Sequence, residues 1–343
     1  MTVQREVIVG VDTHKEVNVA VALDAQGQFL GVSSVPTTPS GHSSLLRWAN
    51  HFGPVAKVGI EGTGSFGAGL CRFLRSAGVV VVEVERPERP GRRVAGKSDA
   101  LDAERAARAV LAGKARVTPK SGDGPVESLR VVWSTRRGAV KAKTQAANYL
   151  HSLVVTAPDA LRTQLRGLTP DALASRACRW RATPVDSTFA ASKLAIRSVA
   201  RRYLALGSEI SALEKEIRRL VDAVAPDLVA LRGVGYETAA ALLVAAGDNP
   251  ERFRSEASFA HLCGVAPLQA SSGKTVRHRL NRGGDRQANR ALFLIVLVRM
   301  YRDERTKAYV ARRSAEGLSK PEIIRCLKRY VARELFSVLN RAA

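Results

Sequence analysis

Residues 7–15 read Val7-Ile-Val-Gly-Val-Asp12-Thr-His-Lys15: an apolar run that stops on a carboxylate. Runs at 17–23 and 29–35 follow, alternating or apolar and set apart by polar turns, the second being Asp24-Ala-Gln-Gly27. Period-two alternation broken by turn residues predicts a three-stranded meander. Working outward, residues 40–51 carry helical spacing, 57–60 form a strand that runs into Glu61, and 66–77 an amphipathic helix. Residues 79–84 make a buried strand, and 98–112 a helix that Ser98 can cap.

The resulting order, β-β-β-α-β-α-β-α, is that of ribonuclease-H-like domains, in which acids on the first and fourth strands and the last helix converge on two metal ions. Asp12 and Glu61 each end an apolar strand, where an unpartnered charge would be half buried at a cost. Asp99 and Asp102 stand at i and i+3 and face the same way from one helix. Acids in a first helical turn are favoured by the macrodipole alone, so that pair says little by itself. Four acids in these elements and this order say more, because carboxylates are the hard ligands that Mg²⁺ prefers. Two such ions ~4 Å apart stabilise both the attacking and the leaving oxygen of a phosphodiester. The segment Gly62-Thr-Gly64-Ser-Phe-Gly67 also matches a dinucleotide-binding fingerprint, with Glu83 about twenty residues on. Glu61 would then sit against the pyrophosphate, which argues against that reading.

The chain has 343 residues and is 45% apolar, enough for two or three domains with cores of their own. Its 54 Lys and Arg against 31 Asp and Glu leave a net charge of +23, a nucleic-acid footprint. Residues 1–113 hold 13 basic and 11 acidic side chains, so nearly all the excess falls on residues 114–343. Cys71, Cys178, Cys263 and Cys326 are far apart and suggest neither a zinc site nor a disulfide framework. The longest apolar run, 291–298, is far short of the ~20 residues a membrane span needs. The N-terminus lacks the pattern of a signal peptide. The expectation is a cytoplasmic protein with no membrane partner.

Downstream, 126–155 is helical and basic, with Arg136, Arg137, Lys141 and Lys143. Ile196, Val199, Tyr203, Leu206, Ile210, Leu213, Ile217, Leu220 and Val224 then recur at steps of three and four, a heptad seam. Such a stripe either folds back on its own domain or joins subunits as a coiled coil. Residues 231–247 hold an apolar helix entered through Gly-Val-Gly, which resembles the helix-hairpin-helix motif whose turn amides bind a DNA phosphate. After Pro267, Ser271-Ser272-Gly273-Lys274 is surrounded by Arg277, His278, Arg279, Arg282 and Arg286, a setting that could neutralise a phosphate and favour a serine alkoxide attacking phosphorus. An apolar helix over 291–300 and a basic helix from 320 to about 340 complete the chain.

The blocks G-V-D-T-H-K, I-E-G-T-G, K-S-D-x-x-D-A, L-x-G-V-G-x-x-T-A-x-x-L with G-D after it, and L-C-G-V-A-P…S-S-G-K…N-R-G-G-D-R-Q-A-N-R together resemble the DEDD-type insertion-sequence transposases, bacterial recombinases guided by a bridge RNA. The resemblance runs from about residue 6 to residue 300. It implies a ribonuclease-H-like (RuvC-like) catalytic domain over 1–125, with Asp12, Glu61, Asp99 and Asp102 binding Mg²⁺, as two ions. It also implies a helical coiled-coil linker over 126–225 and a helical transposase domain over 226–343. There the serine before the glycine, Ser272, attacks DNA to give a covalent phosphoserine. Family active sites take the acids and the serine from different subunits, which fits a homo-oligomer, dimer or tetramer.

The fold class expected is therefore α/β plus mainly α, and the function bridge-RNA-guided cleavage and exchange of double-stranded DNA. Arg136, Arg137, Lys141, Lys274, Arg277, Arg279, Arg282 and Arg286 are the expected nucleic-acid contacts. The alternatives are a Mg²⁺-dependent nuclease of the Holliday-junction type and a nucleic-acid-binding protein without catalysis.

Overall fold

Strands β1 (Val7–Thr13), β2 (Val17–Asp24) and β3 (Phe29–Pro36) form the antiparallel meander, and β4 (Val55–Glu61) and β5 (Val80–Val84) add to the free edge of β1 in parallel. The sheet order is β3-β2-β1-β4-β5. These positions come from a computed structural model that describes residues 6–85, 98–181, 183–269, 278–279, 281 and 283–341. The chain divides into two compact units: one holds the residues up to Gly124 together with Ala246–Phe259, the other Pro125–Ala245 and the chain from Ala260 on.

In the first unit the pleat sorts β1 into two faces. Val7, Val9 and Val11 enter a core with Leu45, Leu70 and Leu74 from helices α1 (Pro39–Phe52) and α2 (Ala68–Ser76). Ile8 enters a second core with Ala103, Ala106, Ala107 and Val110 of α3 (Asp99–Leu111). Burying each such aliphatic side chain stabilises the fold by about 1.5–3 kcal/mol before entropy is counted. The alanines recur at i, i+3 and i+4, so α3 presents a smooth stripe that lies close on the strands. The closest approach is at Gly10, where an added Cβ would stand 2.1 Å from the Ala103 carbonyl oxygen and 2.2 Å from the Ala107 nitrogen. Ser98 is the N-cap of α3, but its hydroxyl makes no capping bond, contrary to the sequence expectation; its backbone carbonyl accepts from Asp102 N at 3.1 Å. Asn249 ties Ala246–Phe259 into this unit: its buried side chain accepts from Ser121 N at 3.0 Å and donates to the Pro119 carbonyl at 3.0 Å.

In the second unit α4 (Pro125–Val155) and α7 (Thr188–Val224) run in opposite directions against each other. Lys143 lies 4.6 Å over the Tyr203 ring, and Arg136 meets Glu214. The heptad seam faces α4 of the same chain: Ile196, Val199 and Tyr203 are buried with Ala146, Leu150 and Val154. Of the two readings open for the stripe, the fold-back one describes its buried residues, while Leu206, Ile210 and Leu213 stay half-buried at mid-length. Helices α5 (Asp159–Leu165) and α6 (Pro170–Ala177) close the core at the α4–α7 turn end. They fall in a stretch whose sequence shows no regular period.

After α8 (Pro226–Ala230) a turn leads to α9 (Tyr236–Ala246), with Gly233 at φ +82°. The Gly235 amide of that turn is engaged by Thr238 Oγ1 at 3.0 Å. Helix α10 (Glu256–Leu262) follows, then the short antiparallel pair β6 (Leu268–Gln269) and β7 (His278–Arg279). Helix α11 (Arg286–Arg302) begins earlier than its apolar run, because the Asp285 carboxylate caps it by accepting from Gln287 N and Ala288 N. Helix α12 (Glu304–Ala315) is absent from the sequence reading, since it is polar and buries only Thr306. Helix α13 (Lys320–Leu339) packs on α11. Among the described residues no helix is long and apolar enough to cross a membrane.

Candidate active site

Asp12 is even-numbered on β1, so it points with Ile8 and Gly10 toward α3, and α3 begins with Asp99. The absence of a side chain at Gly10 lets the start of α3 come down onto the strand end. Asp12 is 8% exposed. One residue past the strand, His14 folds back over it: its amide donates to the Val17 carbonyl at 3.2 Å, and its carbonyl accepts from Thr37 Oγ1 at 3.1 Å. The imidazole Nε2 then stands 3.1 Å from Asp12 Oδ2 and 3.5 Å from Asp99 Oδ2. One ligand atom from each of these three side chains lies within 4.8 Å of the others.

Glu61 ends the neighbouring strand. The β1–β4 register pairs Val11 with Ile60, which brings Glu61 beside Asp12, and Thr13 Oγ1 donates to the Glu61 carbonyl at 2.8 Å. Asp102 lies one turn into α3, where its carboxylate accepts from Arg105 Nη1 at 2.9 Å. Of the four acids expected to share a metal, Asp12 and Asp99 therefore come within ligand reach of a common point, Glu61 stands at the adjacent strand end, and Asp102 is held by an arginine. His14 was not singled out from the sequence, although it sits in the same G-V-D-T-H-K block.

The Asp12 carboxyl is held above the usual carboxylate range, chiefly by burial; His14 opposes this, and the negative charges of Asp99 and Asp102 add to it. A buried carboxylate with an imidazole against it and two more acids close by is a donor set that a divalent cation would neutralise. The oxygen and imidazole donors fit such an ion.

In the second unit Ser271, Ser272, Lys274, Arg277 and Arg282 lie outside the described residues. Arg279 is exposed on β7, and Arg286 is exposed in the first turn of α11. The chain on either side of residues 270–277 is held firmly. Gly284 packs so closely on Gly264 that a Cβ would stand 2.2 Å from its nitrogen, and Asn281 Nδ2 donates to the His261 carbonyl at 3.1 Å. Asn289 Nδ2 donates to the Cys263 and Gly264 carbonyls at 2.9 and 3.0 Å, and Lys328 Nζ donates to Asn289 Oδ1 at 2.9 Å. Of the helical cations, Lys141 is exposed, Arg137 lies 4.7 Å over the Trp133 ring, and Arg136 is engaged by Glu214 at 2.5 Å and Glu237 at 3.1 Å.

Two family models match the chain: a transposase family of the DEDD, IS110 type over residues 9–157, and the transposase IS116/IS110/IS902 family over residues 226–311. The chain belongs to the IS110 transposase family. The first match spans Asp12, Glu61, Asp99 and Asp102, and the second spans the serine-bearing segment and both of its flanks. An insertion element IS110 uncharacterized 43.6 kDa protein of Streptomyces coelicolor is 34% identical over 150 residues, which is 43% of this chain and 37% of that protein. An insertion element IS900 uncharacterized 42 kDa protein of Mycobacterium paratuberculosis is 26% identical, over 71% of this chain and 72% of its own length. The chain thus covers well under half of the first of these relatives. Asn289, which anchors the Cys263–Gly264 turn, lies within the second family match, whereas its partner Lys328 lies beyond it.

Proposed function

We propose that this chain is the recombinase of a bacterial insertion element, and that it cleaves and rejoins double-stranded DNA under the guidance of a bridge RNA. The observation that carries the reading is the convergence of Asp12, His14 and Asp99, with Glu61 at the neighbouring strand end, in a chain whose excess positive charge lies almost entirely downstream. Asp12, Glu61, Asp99 and Asp102 would hold Mg²⁺, as two ions. Bound there, the metal would stabilise negative charge on the phosphodiester oxygens. Ser272 then acts as the nucleophile: its Oγ bonds to phosphorus as the bond to a deoxyribose oxygen breaks. The phosphoserine diester keeps the bond energy for rejoining to a new strand. Arg279 and Arg286, both exposed, would hold the DNA phosphates. A homo-oligomer would let one subunit's acids act with another's serine.

The test uses purified protein, guide RNA and end-labelled DNA, denatured after reaction. Label should migrate with the wild-type protein and with Ser271→Ala, and not with Ser272→Ala. An adduct in Ser272→Ala moves the nucleophile elsewhere. Cleavage by the wild type with free ends and no adduct selects metal-dependent hydrolysis, the nuclease reading.

A further inference from the structure

The imidazole of His14 has no function in the four-carboxylate reading, yet it stands directly against Asp12, at 3.1 Å. Its Nε2 is shut off from solvent although the ring as a whole is 41% exposed. That nitrogen lies 3.1 and 3.5 Å from two carboxylate oxygens, but in neither direction does it form a hydrogen bond. Asp12, itself largely buried, brings its carboxylate to the same point, 3.1 Å from that nitrogen. Ligands at about 2.1 Å from one cation are about 3.0 Å apart when cis in an octahedron and about 3.4 Å apart in a tetrahedron. The separations of 3.1 and 3.5 Å are short enough for the three side chains to share one cation. The backbone holds this geometry through the His14–Val17 turn and the Thr37 bond, both independent of any ion.

We infer that His14 Nε2 is a direct ligand, together with Asp12 and Asp99, of the divalent cation held here, and that it biases the site toward first-row transition ions. This rests on the metal-binding reading above and deepens it. An all-oxygen site suits Mg²⁺, whereas an imidazole nitrogen raises the affinity for first-row transition ions relative to it. The centre should therefore hold Mn²⁺ more tightly than Mg²⁺, and His14 should account for the difference.

The experiment takes the full-length protein freed of metal by chelation and titrated with Mn²⁺ or Mg²⁺ alone. Affinities are measured by calorimetry, and electron spin-echo modulation from ¹⁴N is recorded on the Mn²⁺ form. The wild type should show imidazole modulation that disappears in His14→Gln, with Mn²⁺ affinity falling at least 10-fold, the lower bound for losing even an outer-shell partner. Mg²⁺ affinity should fall less. A Mn²⁺-loaded wild type without nitrogen modulation overturns the inference, as does an unchanged Mn²⁺ affinity in His14→Gln. If Mn²⁺ binds the wild type and Asp12→Asn equally, or neither, the metal centre itself fails, a different result from a site that binds through Asp12 without His14. Should His14→Gln not fold by circular dichroism, the wild-type spectrum decides alone.

Discussion

Gly10 shows how one missing side chain can set the spacing of a candidate site. Any Cβ there would press on the Ala103 carbonyl and the Ala107 amide, which are backbone atoms and cannot swing aside. Gly10→Ala should therefore lift α3 from β1 and carry Asp99 away from Asp12 and His14. A stability loss of about 1–3 kcal/mol, the usual cost of overpacking, is expected in chemical denaturation. A fall in Mn²⁺ affinity should accompany it even though no ligand has changed; unchanged binding would show that the α3 position does not govern the site. Lys328 gives a second prediction, in the other unit. Burial, with Arg325 adding to it, holds this ammonium below its ordinary 10.5, and it donates to the neutral amide of Asn289. The folded state therefore binds its proton less firmly than the unfolded chain, so unfolding takes up a proton between the lowered value and 10.5. Stability then rises with pH through that window, and below it the buried charge is a constant cost. Comparing denaturation midpoints at about pH 8 and pH 10, the difference between wild type and Lys328→Met should shift in favour of wild type at the higher pH. No shift would mean that the ammonium is solvated as well in the fold as outside it.

Among the elements, those of the sheet were legible because apolar runs and turn residues are local signals; β1 to β5 follow from runs that alternate or, as at 7–11 and 79–82, are apolar throughout. The acids at their ends were legible too, since Asp12 and Glu61 interrupt apolar strands. His14 was not. Its place beside Asp99 depends on a tight turn after β1 and on how α3 lies across the sheet, and neither is written in the residues next to it. Asn249 was hidden for the same reason, its partners Pro119 and Ser121 being about 130 positions away. Helix α12 was missed because its solvated face carries no apolar period. Periodicity marks the apolar stripe of α7 but cannot name the surface that covers it. In the structure Ile217 is buried within the chain, whereas Leu213 is half-buried. Ile217→Asn should accordingly cost about 2–5 kcal/mol, the range for large core truncations, at any protein concentration. A loss that grows on dilution would place a second subunit against this residue.

At the scale of the whole molecule the charge is unevenly distributed along the chain. Residues 1–113 are nearly neutral, so their carboxylates are not outweighed by neighbouring cations, and the remainder carries almost all of the +23. Net charge alone overstates the phosphate contacts, because many of these cations are already engaged. Arg136 is bound by Glu214 and Glu237, Arg299 by Glu334, and Arg219 by Glu216. A guanidinium held between two carboxylates releases few counterions from DNA, whereas Arg279 and Arg286, both exposed, are the ones that would release them on the reading proposed above. The logarithm of DNA affinity should fall linearly with that of salt concentration, with a slope of about −0.9 per phosphate neutralised. Arg286→Ala should make the slope shallower by about one, uniformly across DNA sequences. Arg136→Ala should leave the slope unchanged and lower thermal stability instead, since it strands two carboxylates on α7 and α9. If Arg136→Ala reduced the slope as much as Arg286→Ala, its ion pairs would have to open on binding, and the α4 face would belong to the nucleic-acid surface as the sequence first suggested.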